Sequence, residues 1–271
     1  MKKTIALLAV FSMILSGCAS QGGAASAHPS QSDREYVQEK GTLVVGMTEF
    51  APMDYREEGS EEWIGFDADL AKDFAESLGV EAEFLEINWD MKALELENRG
   101  VDVVWNGMTL TQEVRELMST SQPYCLNGQV VVVPQEKAAD YTTAESLSGL
   151  QFAAENGSAG AAELDELGIE YIAMDTQAKA LMEVAAGTSD ACVIDLLMAN
   201  AMIGPGTDYP QLTATVQLSE EEYGVGFRKG SDLTEAFNAF WKEAVADGTA
   251  METAQRYGIN PDSVVTEAAD K

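Results

Sequence analysis

The 271-residue chain carries one histidine, His28, and three cysteines, Cys18, Cys125 and Cys192. These counts exclude chemistry at once. His28 lies in a stretch rich in Ala, Ser, Gly and Gln, which leaves no histidine in the folded part for a Ser-His triad or a His-ligated zinc site. Neither a metal nor a cofactor is expected. Carboxylates, aromatics and turn glycines remain. Asn156-Gly157-Ser158-Ala159-Gly160 follows a strand-like run and opens a helical one. Backbone N–H groups at such a helix start bind anions, a carboxylate among them. Asp195 ends another strand-like run, where it either meets a ligand or caps the next helix. Phe50 stands before the loop signal Ala51-Pro52, and Trp89 follows a strand; plain core packing is the alternative for each.

These residues need elements to position them. Leu43-Val44-Val45-Gly46-Met47 reads as a buried strand. Phe66, Leu70, Phe74 and Leu78 recur four apart, a helix stripe closed by Gly79. Strands are expected over Glu81 to Ile87, Val101 to Trp105, Gln129 to Val133, Gln151 to Ala154, Tyr171 to Ala173, Ala191 to Ile194 and Tyr223 to Phe227. Helices are expected over Met91 to Leu96, Ala161 to Glu166, Gln177 to Ala186 and Asp232 to Asp247. Strands and helices alternating at short spacing indicate parallel sheets with crossover helices. The alternation comes in two sets, which predicts two α/β lobes. Open sheets bind ligands beyond the carboxyl ends of their strands, so two facing edges would form a cleft.

Net charge is -30, which argues against nucleic acid or anionic lipid as a partner. Met1-Lys2-Lys3 precedes a short apolar core that runs to Leu15, below the ~20 residues a transmembrane helix needs. That is the layout of a secretory signal over 1–17. Leu15-Ser16-Gly17-Cys18 resembles a bacterial lipobox, which implies cleavage before Cys18, its lipidation (palmitate among the acyl chains), and an exported protein anchored to the cell membrane, facing the extracellular or periplasmic space. The stretch 18–32 reads as a flexible tether. Cys125 and Cys192 sit in apolar runs and are expected as free thiols.

Several motifs together carry a resemblance. Gly41 to Met47, Phe50-Ala51-Pro52 and Gly65-Phe66-Asp67-Ala68-Asp69-Leu70-Ala71 resemble the start of polar amino-acid-binding receptors of ABC importers. Gly100 to Thr111 is similar to their central motif. Ser119 to Tyr124 and Tyr223 to Ser231 resemble their two crossovers. The match runs from about Gly41 to Ile259. It implies a two-lobed periplasmic-binding-protein clamshell, each lobe an open mixed sheet flanked by helices, joined by two hinge strands. Lobe 1 would comprise 32–123 and 223–262, lobe 2 would be 124–222, and an acidic tail would occupy 263–271. The implied role is that of a receptor, not an enzyme. It would be a monomer that captures a polar amino acid and delivers it to a permease and its ATPase. A dehydratase on the same clamshell, or a ligand-sensing partner of a membrane receptor, is the alternative.

The resemblance also implies site residues. Phe50 and Trp89 match two aromatics that flank the ligand, and Asn106, Gly107 and Thr109 match the segment bonding its α-amino and α-carboxylate groups. Gly157 and Ser158 fall in the helix-start turn, and Asp195 matches the acid that grips the ammonium. The sequence departs from the family where an Arg usually clamps the carboxylate. Val114 stands there, with Arg115 next to it as the candidate substitute. Glu155 stands where the glutamine-binding member has a ligand-contacting lysine, and Glu49 adds another acid. Glu49, Glu155 and Asp195 beside two aromatics would suit a cationic amino acid or a related amine.

Overall fold

The computed structural model describes residues 31–266. The stretch read as a signal, Cys18, most of the expected tether and the last five residues lie outside the described residues. The compact body begins at Ser32. Ser32 accepts the Glu35 N–H and so caps a first helix, α1 (Asp33–Lys40), that the sequence reading did not anticipate. Its apolar pattern is weak, because only Val37 and Asp33 are buried.

Strands β1 (Thr42–Met47), β2 (Glu81–Glu86) and β3 (Val103–Thr109) form one set, ordered β2-β1-β3 with parallel pairing. Helix α2 (Phe66–Leu78) and α3 (Lys92–Glu97) connect them, and α4 (Gln112–Leu117) follows β3. After the short β4 (Ser119–Thr120), strand β5 (Cys125–Pro134) enters a second set with β6 (Phe152–Glu155), β7 (Tyr171–Met174) and β8 (Ala191–Asp195), ordered β5-β8-β6-β7. Helices α5 (Ala159–Leu167), α6 (Gln177–Ala186) and α7 (Leu196–Met202) serve this set.

The two sets meet on β9 (Leu212–Phe227), a strand of 16 residues. Its first part pairs antiparallel with β5, from Pro134↔Leu212 to Cys125↔Tyr223. Its last part pairs with β3, from Thr109↔Tyr223 to Val103↔Phe227. The sequence reading found only Tyr223 to Phe227, because the preceding residues alternate polar and half-buried instead of forming an apolar run. The result is a two-lobed α/β clamshell whose mixed sheets are joined by strands.

Helices α8 (Leu233–Asp247) and α9 (Thr249–Arg256) close the first lobe. Phe66, Phe74, Trp105, Tyr124, Phe227 and Phe237 are fully buried there. Trp105 and Phe237 meet edge to face at 4.8 Å and 89°, a geometry that adds ~0.5–1.5 kcal/mol beyond burial. The chain stays in this core past the tail boundary expected at 263: Val264 bridges Cys125, and the Val265 carbonyl accepts the Trp241 indole N–H at 3.0 Å. Cys125 and Cys192 are buried, free thiols.

Candidate functional site

A cavity of about 140 Å³ lies between the two sets of strands. One wall is the carboxyl end of β3. There Asn106 and Gly107 fall in a register shift against β9. The Asn106 side chain is fully engaged: it donates to Asp54 Oδ2 at 2.7 Å and Thr48 O at 2.9 Å, and accepts from Thr48 N and Oγ1. It therefore offers the cavity its backbone. Gly107 has φ +55, and a Cβ there would come within 2.6 Å of Phe50 Cε1. Asp67 Oδ2 accepts the Gly107 N–H at 2.7 Å. Trp89, Thr109 and Val114 complete this wall.

The second lobe contributes Glu155, Gly157, Ser158 and Asp195. Ser158 caps α5 by accepting the Ala161 N–H at 3.1 Å. Asp195 precedes α7 but makes no side-chain cap. Asn127 Oδ1 accepts the Leu197 N–H instead, so the helix-cap alternative does not describe Asp195. Its carboxylate accepts from Gln129 at 2.7 Å and also from Asn127 and Gln177. Burial raises its pKa, opposed by hydrogen bonds from its neighbours. Glu155 is 2% exposed. Its Oε1 has no hydrogen-bond partner among the described residues. Burial pushes its carboxyl up to about 8, against the pull of the Lys92 charge.

Lys92 was not anticipated as a site residue. Its ammonium lies 4.9 Å from the Trp89 ring centre and donates across the cleft to Gly157 O at 3.0 Å. It is the only cationic side chain on the cavity wall among the described residues, against the carboxyl groups of Asp90, Glu113, Glu155 and Asp195. Gly157, at φ +71, meets Asp90 so closely that a Cβ would fall 2.7 Å from Asp90 Cα. The lobes therefore touch through Lys92, Asp90 and Gly157, and the cleft is shut.

Residues 43–260 match the model of the bacterial extracellular solute-binding proteins, family 3. The chain belongs to that family. This solute-binding protein is 28% identical over 225 residues to the L-cystine-binding protein TcyJ of Escherichia coli K12, covering 82% of this chain and 84% of TcyJ. It is similar to truncated ArgBP of T. maritima in its arginine-bound form, with a TM-score of 0.72, 32% identity, and 77% of this chain and 99% of that one covered. It is also similar to an ancestral amino acid-binding protein, AncCDT-1, described as a precursor of cyclohexadienyl dehydratase. That match has a TM-score of 0.76 and 27% identity, covering 83% and 99%.

Three expected site residues of the solute-binding protein stand outside the cavity wall. Glu49 is exposed. Phe50 lies buried behind Gly107, edge-on to Tyr223 with centroids 6.4 Å apart, so the cavity wall holds Trp89 without a facing Phe50. Arg115 turns to the hinge side, where its Nε donates to Leu110 O at 3.2 Å and its Nη2 lies 3.7 Å from Glu222. The reason is helical phase. Val114 points inward at 7% exposure, and the next residue is rotated by roughly 100°. Gln129 and Gln177 were missed too, although Gln129 is a polar residue heading an apolar run and both are buried.

Two outcomes follow. Gly157→Ala adds a Cβ against Asp90 at positive φ; it is expected to hold the lobes apart and weaken ligand binding by about tenfold or more, while circular dichroism stays native. Glu155 has a folded pKa of about 8 against a reference value of 4.5. The folded state thus holds the proton more tightly, and ionisation opposes folding. The penalty is absent below about pH 4.5, grows as pH rises, and is complete above about pH 8. Glu155→Gln removes it, so the variant is expected to be more stable than wild type by roughly 2–4 kcal/mol near pH 8, with the gain vanishing near pH 4. Urea unfolding at both pH values checks this.

Proposed function

We propose that this protein captures an amino acid carrying a second positive group, or a related amine, and delivers it to the membrane permease of an ABC importer. The observation that carries this reading is the cavity's charge: two deeply buried carboxyl groups, Asp195 and Glu155, face a wall whose single cation, Lys92, is held by Trp89 O and Gly157 O. In this reading Asp195 takes the α-ammonium and Glu155, through its unpartnered oxygen, takes the distal cation. The side chain lies against Trp89, where a cation gains ~0.5–2 kcal/mol. The start of α5 at Ser158, with first-turn N–H groups that no helical carbonyl can reach, receives the carboxylate in place of an arginine. Gly107 and Thr109 offer backbone and hydroxyl partners. Contact with both lobes makes the closed state the better binder, which couples capture to closure.

The relatives support an amine-bearing ligand, since one is described as binding L-cystine and another structure holds arginine. The named relatives of the family are binding proteins, and we read this chain as a receptor rather than a dehydratase. We further propose the lobe boundaries 32–123 with 223–262 and 124–222, a monomeric receptor, and an anchor at Cys18. Among the described residues no helix is long and apolar enough to cross a membrane; in this reading lipid on Cys18 keeps the receptor near its permease.

Calorimetry with lysine, arginine, ornithine, histidine, glutamine and glutamate is expected to rank a cationic member first; tightest binding of glutamate would contradict the reading. Cys18→Ser is expected to move the protein from the membrane fraction to the soluble one, and retention on the membrane would refute the anchor.

A further inference from the structure

Beside Asp195 the structure holds a further carboxyl group that the capture reading does not use. Glu221 stands on β9 opposite Asn127 of β5, while Asp195 stands on β8 opposite Gln129 of β5. The two acids therefore flank one strand. Asn127 Nδ2 and Gln129 Nε2 each donate to both Asp195 Oδ1 and Glu221 Oε1, the latter at 2.5 and 2.8 Å. Two carboxyl oxygens gathered by the same two amide groups are too close for both to carry charge in a buried setting.

Among the described residues the surroundings supply no cation to relieve them. Asp195 is faced by Gln177 of α6, by Glu155 of β6, whose charge opposes its ionisation, and by the Tyr223 hydroxyl of β9. On its own strand Glu221 is flanked by Glu220 and Glu222, and Arg115 is committed to Glu222. Lys92 lies across the cavity at Gly157. Asp195 receives three amide donors and Glu221 two, so the charge settles on Asp195 and the proton on Glu221. Burial and the Asp195 charge push the Glu221 carboxyl up to about 8.

We propose that Glu221 stores a proton beside Asp195, and that capture of a ligand ammonium at Asp195 draws this proton off. A cation favours the charged form of a nearby acid, so the ligand promotes ionisation of Glu221, and the proton leaves to solvent. The exit is built in. Asp195 lines the ligand cavity, whereas Glu221 and Asn127 line a separate groove of about 770 Å³ that shares none of the cavity's lining residues. The proton can depart through that groove while the cleft is shut. By linkage, affinity rises with pH between the pKa of the stored proton in the liganded protein and its higher pKa in the free protein, by up to about tenfold per pH unit, and levels off on either side. A more acidic medium loosens the ligand. Glu221 is thus a positioning residue that acts through Asp195.

This inference rests on the capture reading. The test is calorimetry with each standard amino acid and L-cystine, repeated near pH 7 in two buffers of different ionisation enthalpy. Wild type is expected to release protons on binding, of which Glu221 contributes a fraction of one per ligand and Glu155, facing the distal cation, the rest. Glu221→Gln, which keeps an oxygen for Asn127 and Gln129, is expected to bind but to release fewer protons and to show a flatter pH profile of Kd. Glu155→Gln is expected to bind more weakly, because it loses the partner of the distal cation, and at saturating ligand to keep the Glu221 share. Buffer-independent heat in wild type, or proton release unchanged in Glu221→Gln, overturns the coupling alone. No heat with any of these compounds overturns the capture reading and the coupling with it.

Discussion

A single buried carboxylate holds the first lobe's half of the cleft together. Asp67 opens α2 with no exposure to solvent, and its Oδ2 accepts both the Gly107 N–H and the Tyr124 hydroxyl at 2.7 Å. One atom thereby joins a helix, the cavity-forming end of β3, and the chain on its way into the second lobe. Burial pushes this carboxyl up to about 7, and the two hydrogen bonds pull it back toward ionisation. Asp54 lies beside it and is raised well above the carboxylate range by burial and by the Asp67 charge. Asp54 in turn takes the Asn106 amide. The backbone at Asn106 and Gly107 is thus set by two acids that never touch the cavity themselves.

The cleft repeats this use of buried acids with a different purpose. In the first lobe Asp54 and Asp67 each keep one buried oxygen without a partner among the described residues, away from the cavity wall. In the second, Asp195 is amply supplied, yet Glu155 keeps an oxygen that no described residue satisfies. An unsatisfied buried polar atom costs ~1–3 kcal/mol. A ligand cation that supplies the missing donor recovers that cost only when both lobes are closed around it. Shape, charge and closure are therefore one requirement: Gly157 and Lys92 bring the lobes into contact, and the acids decide what is worth enclosing.

Much of the fold was legible. The four-residue stripe of α2 and the apolar runs of β1, β5, β6 and β8 all report burial directly, and burial is what periodicity measures. Helices α1 and α4 were given no range because each is short and mostly exposed, and α7 and α9 because each buries only three residues in a run too short to show a helical period. The first part of β9 was missed because a hinge strand is half wet and carries no apolar run. Site residues at strand ends were legible through motif order: Trp89, Asn106, Gly107, Thr109, Glu155, Gly157, Ser158 and Asp195 all reach the cavity. Phe50, Glu49 and Arg115 depended on side-chain direction, which one residue of helical phase or a close-fitting glycine decides. Lys92 and Glu221 become significant only through contacts made 65 and 94 positions away in sequence, which no local pattern encodes.

The central claim is that buried acids in a closed interlobe cavity hold a cationic ligand, and a crystal structure grown with L-arginine tests it most directly. The account predicts arginine between the lobes, its α-ammonium on Asp195, its guanidinium on Glu155 and its carboxylate at the start of α5. Arginine bound elsewhere, or bound between the lobes without contact to Asp195 and Glu155, would contradict it.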